Sequence, residues 1–146
     1  RTRARAEKLA AFAHALGLQV TVVDRPEAVL AEVRLIVTAT NSASPVIAGA
    51  PRTDAFVAAV GAFTPSMAEL PADWVRRGRL FADTWAGVRA EGGDFIRAGI
   101  DWDRVQPLEV ALTEPRPATG PVIFKSVGHA MFDLAAARLV FEKRDD

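Results

Sequence analysis

The 146-residue sequence predicts one α/β domain, built on a parallel sheet with flanking helices that cover both of its faces. Short apolar runs rich in β-branched residues alternate along the chain with segments of helical spacing. Half of the residues are hydrophobic and a quarter are charged, so the chain can bury one core. In such sheets ligands bind beyond the carboxyl ends of the strands, and we expect the functional residues there.

The first part of the chain predicts a helix, a strand and a second short helix. The helix covers residues 3–16, and Gly17 follows where a left-handed residue commonly ends a helix. Its apolar positions at helical spacing are Leu9, Phe12, Ala13 and Leu16. Residues 18–23 are rich in β-branched side chains, which predicts a strand. Asp24 is predicted to cap a short helix that ends near residue 32.

The rest of the chain continues the alternation. Further strands are predicted at residues 34–40, 56–60, 79–83 and 122–124, and further helices at residues 71–77, 84–90 and 128–142. The stretch 92–121 is broken by Gly and Pro and predicts no regular element. The sequence contains no internal repeat, low-complexity tract or linker, and we expect one domain.

Composition excludes several classes of function. Eighteen basic residues balance eighteen acidic ones, so the chain has no net positive charge that would attract nucleic acid or an anionic membrane. Cysteine is absent and the histidines, His14 and His129, are far apart, so no metal site is predicted. The charged N-terminal residues do not resemble a signal peptide, and no apolar run reaches the roughly 18 residues that span a bilayer. We therefore expect a cytoplasmic protein.

A feature of many nucleotide-binding α/β domains is missing. Such domains normally begin with a strand and a Gly-rich turn that holds a pyrophosphate. Residues 1–23 contain Gly17 and no other glycine. We therefore expect the chain to be part of a longer protein, without the first strand and the glycine loop.

Three segments carry a resemblance to a known family. They are residues 36–42 (IVTATNS), residues 60–65 (VGAFTP) with Glu69-Leu70, and residues 124–128 (FKSVG) with Asp133-Leu134-Ala135. Together they resemble the carboxyl part of the ornithine cyclodeaminase/mu-crystallin family of NAD(P)-dependent enzymes. Arg1-Thr2 also resembles the end of that family's second strand, so the likeness covers nearly the whole chain.

The resemblance implies a Rossmann-type cofactor domain over residues 1–146. Its partner would be a substrate-binding and dimerising domain built largely from upstream sequence, and the final helix, residues 128–142, would return toward it. The family's glycine fingerprint and the residues that hold the substrate carboxylate belong to that upstream part. The resemblance thus implies a homodimer in the full-length protein.

Two positions separate branches of the family. In ornithine cyclodeaminases an Asp stands at the position of Phe63 and a Lys usually stands at that of Met67. Neither Phe nor Met carries a charge or an exchangeable proton. The resemblance therefore favours reduction of Δ1-pyrroline-2-carboxylate or Δ1-piperideine-2-carboxylate to proline or pipecolate with NAD(P)H. The alternatives are an ammonia-eliminating cyclodeaminase, or a non-catalytic protein of the crystallin type that binds NADPH or another ligand.

Cofactor contacts are expected at the strand ends. The predicted residues are Arg1, Thr2, Thr38, Ala39, Thr40, Val60, Gly61, Ala62, Ser126 and Val127. Arg1 and Thr2, with Arg3 beside them, suit the 2′-phosphate of NADP. Residues 38–40 are assigned to adenine or pyrophosphate, although hydroxyl groups also cap ordinary strand exits. The pair Gly61-Ala62 is expected to let the nicotinamide approach, and Ser126-Val127 to contact its amide.

No catalytic residue is assigned from the sequence. Phe63 is predicted to form an apolar wall for the nicotinamide or the substrate ring. His129 is a candidate proton donor to the imine nitrogen, with a surface or packing role as the alternative. Lys125 is read either as part of the site or as a solvated charge at a strand end.

Overall fold

The computed structural model of the protein describes residues 2–113 and 120–144. Its helices are α1 (Arg3–Ala15), α2 (Ala72–Arg77), α3 (Trp85–Glu91), α4 (Gly93–Ala98) and α5 (Ala130–Glu142). Its strands are β1 (Leu35–Thr38), β2 (Phe56–Ala59), β3 (Arg79–Ala82), β4 (Val105–Pro107) and β5 (Val122–Lys125). Short 3₁₀ turns cover Pro26–Val29, Trp102–Arg104 and Leu108–Leu112. Every predicted strand after residue 33 is therefore confirmed, with its ends shifted by a few residues.

The five strands form one parallel sheet in the order β1-β2-β5-β3-β4. β5 comes last in the chain but lies in the centre, between β2 and β3. Because all strands run the same way, the residues that follow β1, β2, β3 and β5 meet at one edge. This arrangement confirms the predicted parallel α/β fold.

One face of the sheet carries the core. Val57, Leu80 and Ile123 project from β2, β3 and β5 and are fully buried. They belong to one cluster with buried side chains of the helices α2, α3 and α4, namely Trp74, Val75, Val88, Phe95 and Ala98. α2 and α4 also pack against each other. These helices therefore cover one face with a continuous apolar layer.

The opposite face is open at β1, within the described residues. Leu35 is 75% exposed and Val37 is 70% exposed, whereas their neighbours Ile36 and Thr38 are buried. The expectation that helices cover both faces is thus wrong at this strand. α1 buries Ala10, but both α1 and α5 leave their large apolar side chains in solvent. The exposed ones include Leu9, Phe12 and Leu16 of the first helical segment and Met131, Phe132, Leu134, Leu139, Val140 and Phe141 of α5.

The predicted strand at residues 18–23 is also wrong. A strand needs a hydrogen-bonded neighbour, and this segment pairs with none in the part of the chain that the structure describes. Instead, the backbone of Val20 contacts the ring of His14, with its amide 3.2 Å and its carbonyl 3.1 Å from Nε2. Gly17 does end the helix in a left-handed conformation with φ of 80°, as predicted.

Two further expectations need correction. Asp24 does not cap the short helix that follows; its carboxylate forms an ion pair with Arg3. The stretch 92–121, predicted to be irregular, contains α4 and the edge strand β4. α4 escaped prediction because it begins at two glycines. A side chain at Gly93 would overlap the backbone carbonyls of Thr64 and Met67, so glycine here allows α4 to approach that loop.

Candidate functional site

A groove lies between α1 and the segments that follow β1 and β2. Its volume is about 630 Å³, and its lining consists of Thr2, Arg5, Ala6, Leu9, Ala39, Thr40, Asn41, Val60 and Phe63. Five of the residues that the sequence assigns to the site therefore share one surface. They are Thr2, next to α1, and Ala39, Thr40, Val60 and Phe63, which follow strands. Arg1, predicted to bind the cofactor phosphate, lies outside the described residues.

The lining of the groove divides by chemistry. Phe63 is 47% exposed and, with Val60 and Ala39, supplies an apolar wall. Thr2, Arg5 and Asn41 supply polar atoms and one cation. Arg5 was not singled out in the sequence, although its place in the first turn of a helix that begins beside a predicted site residue was a usable signal. None of the described lining residues is an acid.

A buried carboxylate lies beneath this groove. Glu69 is fully buried, and its carboxylate accepts hydrogen bonds from Thr38 Oγ1 at 3.0 Å, from the Gly61 amide at 2.8 Å and from the Thr40 amide. Burial raises the pKa of Glu69, but the hydrogen bonds from Thr40, Gly61 and Thr38 outweigh it and hold the pKa below the ordinary value. Glu69 is therefore ionised at neutral pH and joins the exits of β1 and β2.

Gly61 has a role that the sequence did not reveal. A Cβ atom at this position would overlap the backbone of Thr40 and the carboxylate of Glu69. Glycine is required here because the protein itself fills the space. Thr38 and Ala62 are buried as well, so they shape the edge from below. Contact of residues 38, 61 and 62 with a cofactor stays a prediction.

The segment after β5 is held by an acid at the end of β3. Asp83 Oδ2 accepts hydrogen bonds from Ser126 Oγ at 2.7 Å, from the Val127 amide at 3.0 Å and from the Gly128 amide at 2.9 Å. Gly128 adopts a φ of 83°, which favours glycine, and turns the chain toward α5. Ser126 and Val127 therefore lie at the same edge as the groove, and their contact with a nicotinamide amide stays a prediction.

Lys125 is not a solvated charge. It is fully buried at the end of β5, and its Nζ lies 3.2 Å from Oδ2 of Asp94, which is also fully buried. The other oxygen of Asp94 accepts hydrogen bonds from the amides of Glu69 at 2.6 Å and Leu70 at 2.9 Å. The sequence could not reveal this pair, because Asp94 lies in the stretch that predicted no regular element.

His129 is the N-cap of α5. Its Nδ1 accepts a hydrogen bond from the Met131 amide at 3.1 Å, so a neutral His129 carries its proton on Nε2. The residue is exposed and its ring contacts Phe132 edge to face. The capping role agrees with the structural alternative given above. A role as proton donor stays a prediction.

The described residues contain neither a cluster suited to a metal ion nor a helix that could cross a membrane. Residues 2–113 and 120–144 contain no group of three His, Asp or Glu side chains that could hold a metal ion. No helix in the same part of the chain has the length and apolar character needed to cross a membrane.

Comparison with known proteins identifies relatives of this chain. The family model described as ornithine cyclodeaminase/mu-crystallin matches residues 1–146. Δ1-pyrroline-2-carboxylate reductase 1 of Burkholderia multivorans is 47% identical over 104 residues, which are 71% of this chain and 34% of the relative. A Δ1-pyrroline-2-carboxylate/Δ1-piperideine-2-carboxylate reductase of Azospirillum brasilense is 46% identical, again over 71% of this chain and 33% of the relative.

A solved structure supports the fold assignment. The Δ1-pyrroline-2-carboxylate reductase of Thermococcus litoralis, in complex with NADH and L-proline, superposes with a TM-score of 0.86 at 26% identity. The match covers 97% of this chain and 47% of that one. The chain thus spans between a third and a half of the length of these relatives.

Proposed function

Because the chain belongs to the ornithine cyclodeaminase/mu-crystallin family, we propose that it is the cofactor-binding part of a cyclic ketimine reductase. The protein would use NAD(P)H to reduce Δ1-pyrroline-2-carboxylate or Δ1-piperideine-2-carboxylate to proline or pipecolate. The reductases of Burkholderia multivorans and Azospirillum brasilense, which carry these substrates in their names, support this choice.

The observation that carries the proposal is the position of Phe63. It lies half-exposed in a groove whose described lining contains no carboxylate. Elimination of ammonia from a diamino acid needs a side chain that exchanges protons with an amine. Reduction of a cyclic imine takes a hydride from NAD(P)H and a proton from solvent or an acidic group, and it needs an apolar surface that fixes the approach of the two rings. An exposed aromatic ring beside Val60 and Ala39 meets the second requirement.

The residues of the groove fit a dinucleotide. Arg5 provides a cation for phosphate oxygens, and Thr2 provides a hydroxyl beside it. Phe63 and Val60 provide an apolar surface for a flat ring. When bound, NAD(P)H supplies the hydride, and the chain supplies placement and exclusion of water. Because Arg3 is engaged by Glu7 and Asp24, the proposed contact with the 2′-phosphate, should the cofactor be NADP, is assigned to Arg1 and Thr2.

The same proposal accounts for the uncovered apolar surfaces. The relatives are two to three times longer than the matched region, and apolar side chains of β1 and α5 lie exposed in the described part of the chain. We propose that a substrate-binding and dimerising domain of the full-length protein covers α5, and that the protein is a homodimer. A cytoplasmic location belongs to this proposal.

The reaction is tested by following NADPH and NADH oxidation at 340 nm with Δ1-pyrroline-2-carboxylate and Δ1-piperideine-2-carboxylate. We expect turnover of at least one imine and no ammonia release from ornithine. Ammonia release without imine turnover would contradict the proposal in favour of a cyclodeaminase. Tight NADPH binding without turnover of any of these compounds would favour the non-catalytic alternative.

A matched pair of variants tests the role of Phe63. We expect Phe63→Ala to lower kcat/KM with the imine by about tenfold to a hundredfold, because the reacting rings lose an enforced approach. Phe56→Ala is the control, since Phe56 is similarly half-exposed but lies at the opposite end of the sheet. Equal losses in both variants would mean that the wall at Phe63 has no specific part in the reaction.

A further inference from the structure

The buried polar residues of the described chain form one connected network. They are Thr38, Glu69, Asp94 and Lys125. Thr38 donates to Glu69, the amide of Glu69 donates to Asp94, and Asp94 pairs with Lys125. The network begins at the ends of β1 and β5, the edge where the groove lies. Its location beneath one functional surface is the observation that requires an explanation.

The network connects three strands and a helix through few contacts. Glu69 binds the amides of Thr40, after β1, and of Gly61, after β2. Asp94, in the first turn of α4, fixes the backbone of Glu69. Lys125, at the end of β5, neutralises Asp94. The two segments that line the groove therefore share one carboxylate as their common support.

Stability alone does not explain this network. Burying ionic groups costs free energy, and replacing a buried ion pair by apolar residues of similar volume is often neutral or stabilising. Here the cost is only partly offset, because Lys125 Nζ and Asp94 Oδ2 have no hydrogen-bond partner of good geometry beyond their mutual ion pair. Apolar residues at these positions would avoid that cost, but they would leave four backbone amides without an acceptor, those of Thr40, Gly61, Glu69 and Leu70.

We propose that Glu69 is a positioning residue for the cofactor groove, and that the Asp94–Lys125 pair keeps it in place. Glu69 fixes the backbone of Thr40 relative to that of Gly61. Through these two segments it sets the distance between Ala39 and Phe63, on either side of the groove. This inference rests on the proposed function in that the groove must take a dinucleotide.

The first test measures NADH and NADPH binding by the full-length protein that carries Glu69→Gln. A glutamine has nearly the same shape, but its NH₂ group faces an amide that needs an acceptor. We expect the Kd for the preferred cofactor to rise about tenfold, which corresponds to about 1.4 kcal/mol. KM for the cofactor should rise accordingly, with a smaller change in kcat at saturating cofactor.

A control separates positioning from general loss of stability. Val75→Ala removes buried methyl groups from α2, in the core and outside the network. It should lower the free energy of unfolding while it changes the cofactor Kd less than twofold. A Kd that rises equally in Glu69→Gln and Val75→Ala, or that rises in neither, would overturn the inference.

A rescue experiment tests the ion pair. Lys125→Met leaves the Asp94 carboxylate buried without its counter-charge, and we expect it to weaken cofactor binding and lower stability together. The double variant Asp94→Asn, Lys125→Met removes both charges and keeps an oxygen for the Glu69 amide. It should recover most of the cofactor affinity, and a double variant as weak as the single one would contradict the role of the pair.

These outcomes are separable from those of the proposed function. A protein that binds NADH but reduces no cyclic imine refutes the reductase and leaves the Kd comparison of variants valid. A protein that reduces the imine while Glu69→Gln behaves like wild type refutes the positioning role alone. A full-length protein that binds neither NADH nor NADPH refutes both.

Discussion

The two faces of the sheet at β1 and β2 differ although both are apolar in sequence. On the covered face Ile36 and Val57 are buried against helices, and the strand ends carry Thr38 above the Glu69 carboxylate. On the open face Leu35 and Val37 stand in solvent within the described chain. Parallel strands that are buried on both sides have continuous apolar runs, and β1 has such a run. The apolar run of β1 therefore predicts that both sides of this strand are buried, but it does not identify the element that covers the second side.

The covered face also shows where buried charge is tolerated. Its apolar layer fills the middle of the sheet, whereas the ionised groups gather at the carboxyl edge under the groove. A buried ion pair needs close partners, and this edge provides backbone amides for Glu69 and Asp94. The face therefore combines a part that stabilises the fold with a part that shapes a site.

The largest effect is expected from breaking the buried ion pair. Lys125→Met should lower the free energy of unfolding by about 3–5 kcal/mol, because it leaves a buried carboxylate without a counter-charge. Urea denaturation followed by circular dichroism measures this loss. The double variant Asp94→Asn, Lys125→Met should be more stable than Lys125→Met alone. If the single variant were as stable as wild type, the covered face would not depend on charge pairing at its edge.

A matched leucine pair compares the two faces directly. Leu80→Ala, on the covered face of β3, should cost about 2–5 kcal/mol, since Leu80 is fully buried. Leu35→Ala, at the open face, should change the free energy of unfolding of the described chain by about 0.5 kcal/mol or less. Thermal or urea unfolding of both variants gives the comparison. A large cost at Leu35 in the full-length protein would identify β1 as covered by another part of it.

A substitution at Gly61 tests whether the groove depends on the contacts of the Glu69 carboxylate with the backbone of Thr40 and Gly61. Gly61→Ala forces a methyl group against the Thr40 backbone and the Glu69 carboxylate, and we expect it to cost about 1–3 kcal/mol and to weaken cofactor binding. Gly99→Ala is the control, because a Cβ there meets no atom within 4 Å and any cost comes from its φ of 63°. Gly99→Ala should leave the cofactor Kd unchanged. Unchanged cofactor binding in Gly61→Ala would show that the groove does not depend on the close packing of residue 61 against Thr40 and Glu69.

The smallest effect concerns acidic pH. Because the folded pKa of Glu69 lies below its ordinary value of 4.5, its ionised form contributes stability that is fully present above pH 4.5. That contribution is lost as the pH falls through the lowered pKa. The difference in unfolding free energy between wild type and Glu69→Gln should therefore shrink below pH 4.5. If this difference in unfolding free energy stayed constant between about pH 3 and about pH 7, roughly the range in which carboxylates of folded proteins titrate, Glu69 would act without its charge.

The fold was predictable where a local pattern has one interpretation. Four apolar runs after residue 33 form strands, and Gly17 ends α1. Both were predictable because an apolar run and a glycine after a helix are recognised from a few neighbouring residues. The segment 18–23 has the composition of a strand but no neighbour in the described chain. α4 lay hidden behind Gly92 and Gly93, since glycine usually indicates a turn. Pairing and close approach depend on residues far along the chain, which no local pattern contains.

The site was predictable in location but not in construction. Thr40, Val60 and Phe63 were assigned from strand ends and a family resemblance, and they line one groove. The sequence indicates Glu69 as part of a family motif but assigns it no role, it gives no reason to select Asp94, and it leaves Lys125 open between the site and solvent. Each acts through contacts with segments 8 to 31 residues away.

The sequence by itself determined four of the five strands and four of the five helices of the described chain, the family, and an aromatic residue where a related branch has an acid. Those properties follow from residue type and spacing along the chain. The tertiary structure alone decided which sheet face is covered, why residue 61 is glycine, and which charges are buried together. Burial and hydrogen bonding depend on distances between segments, and these distances exist once the sheet has formed.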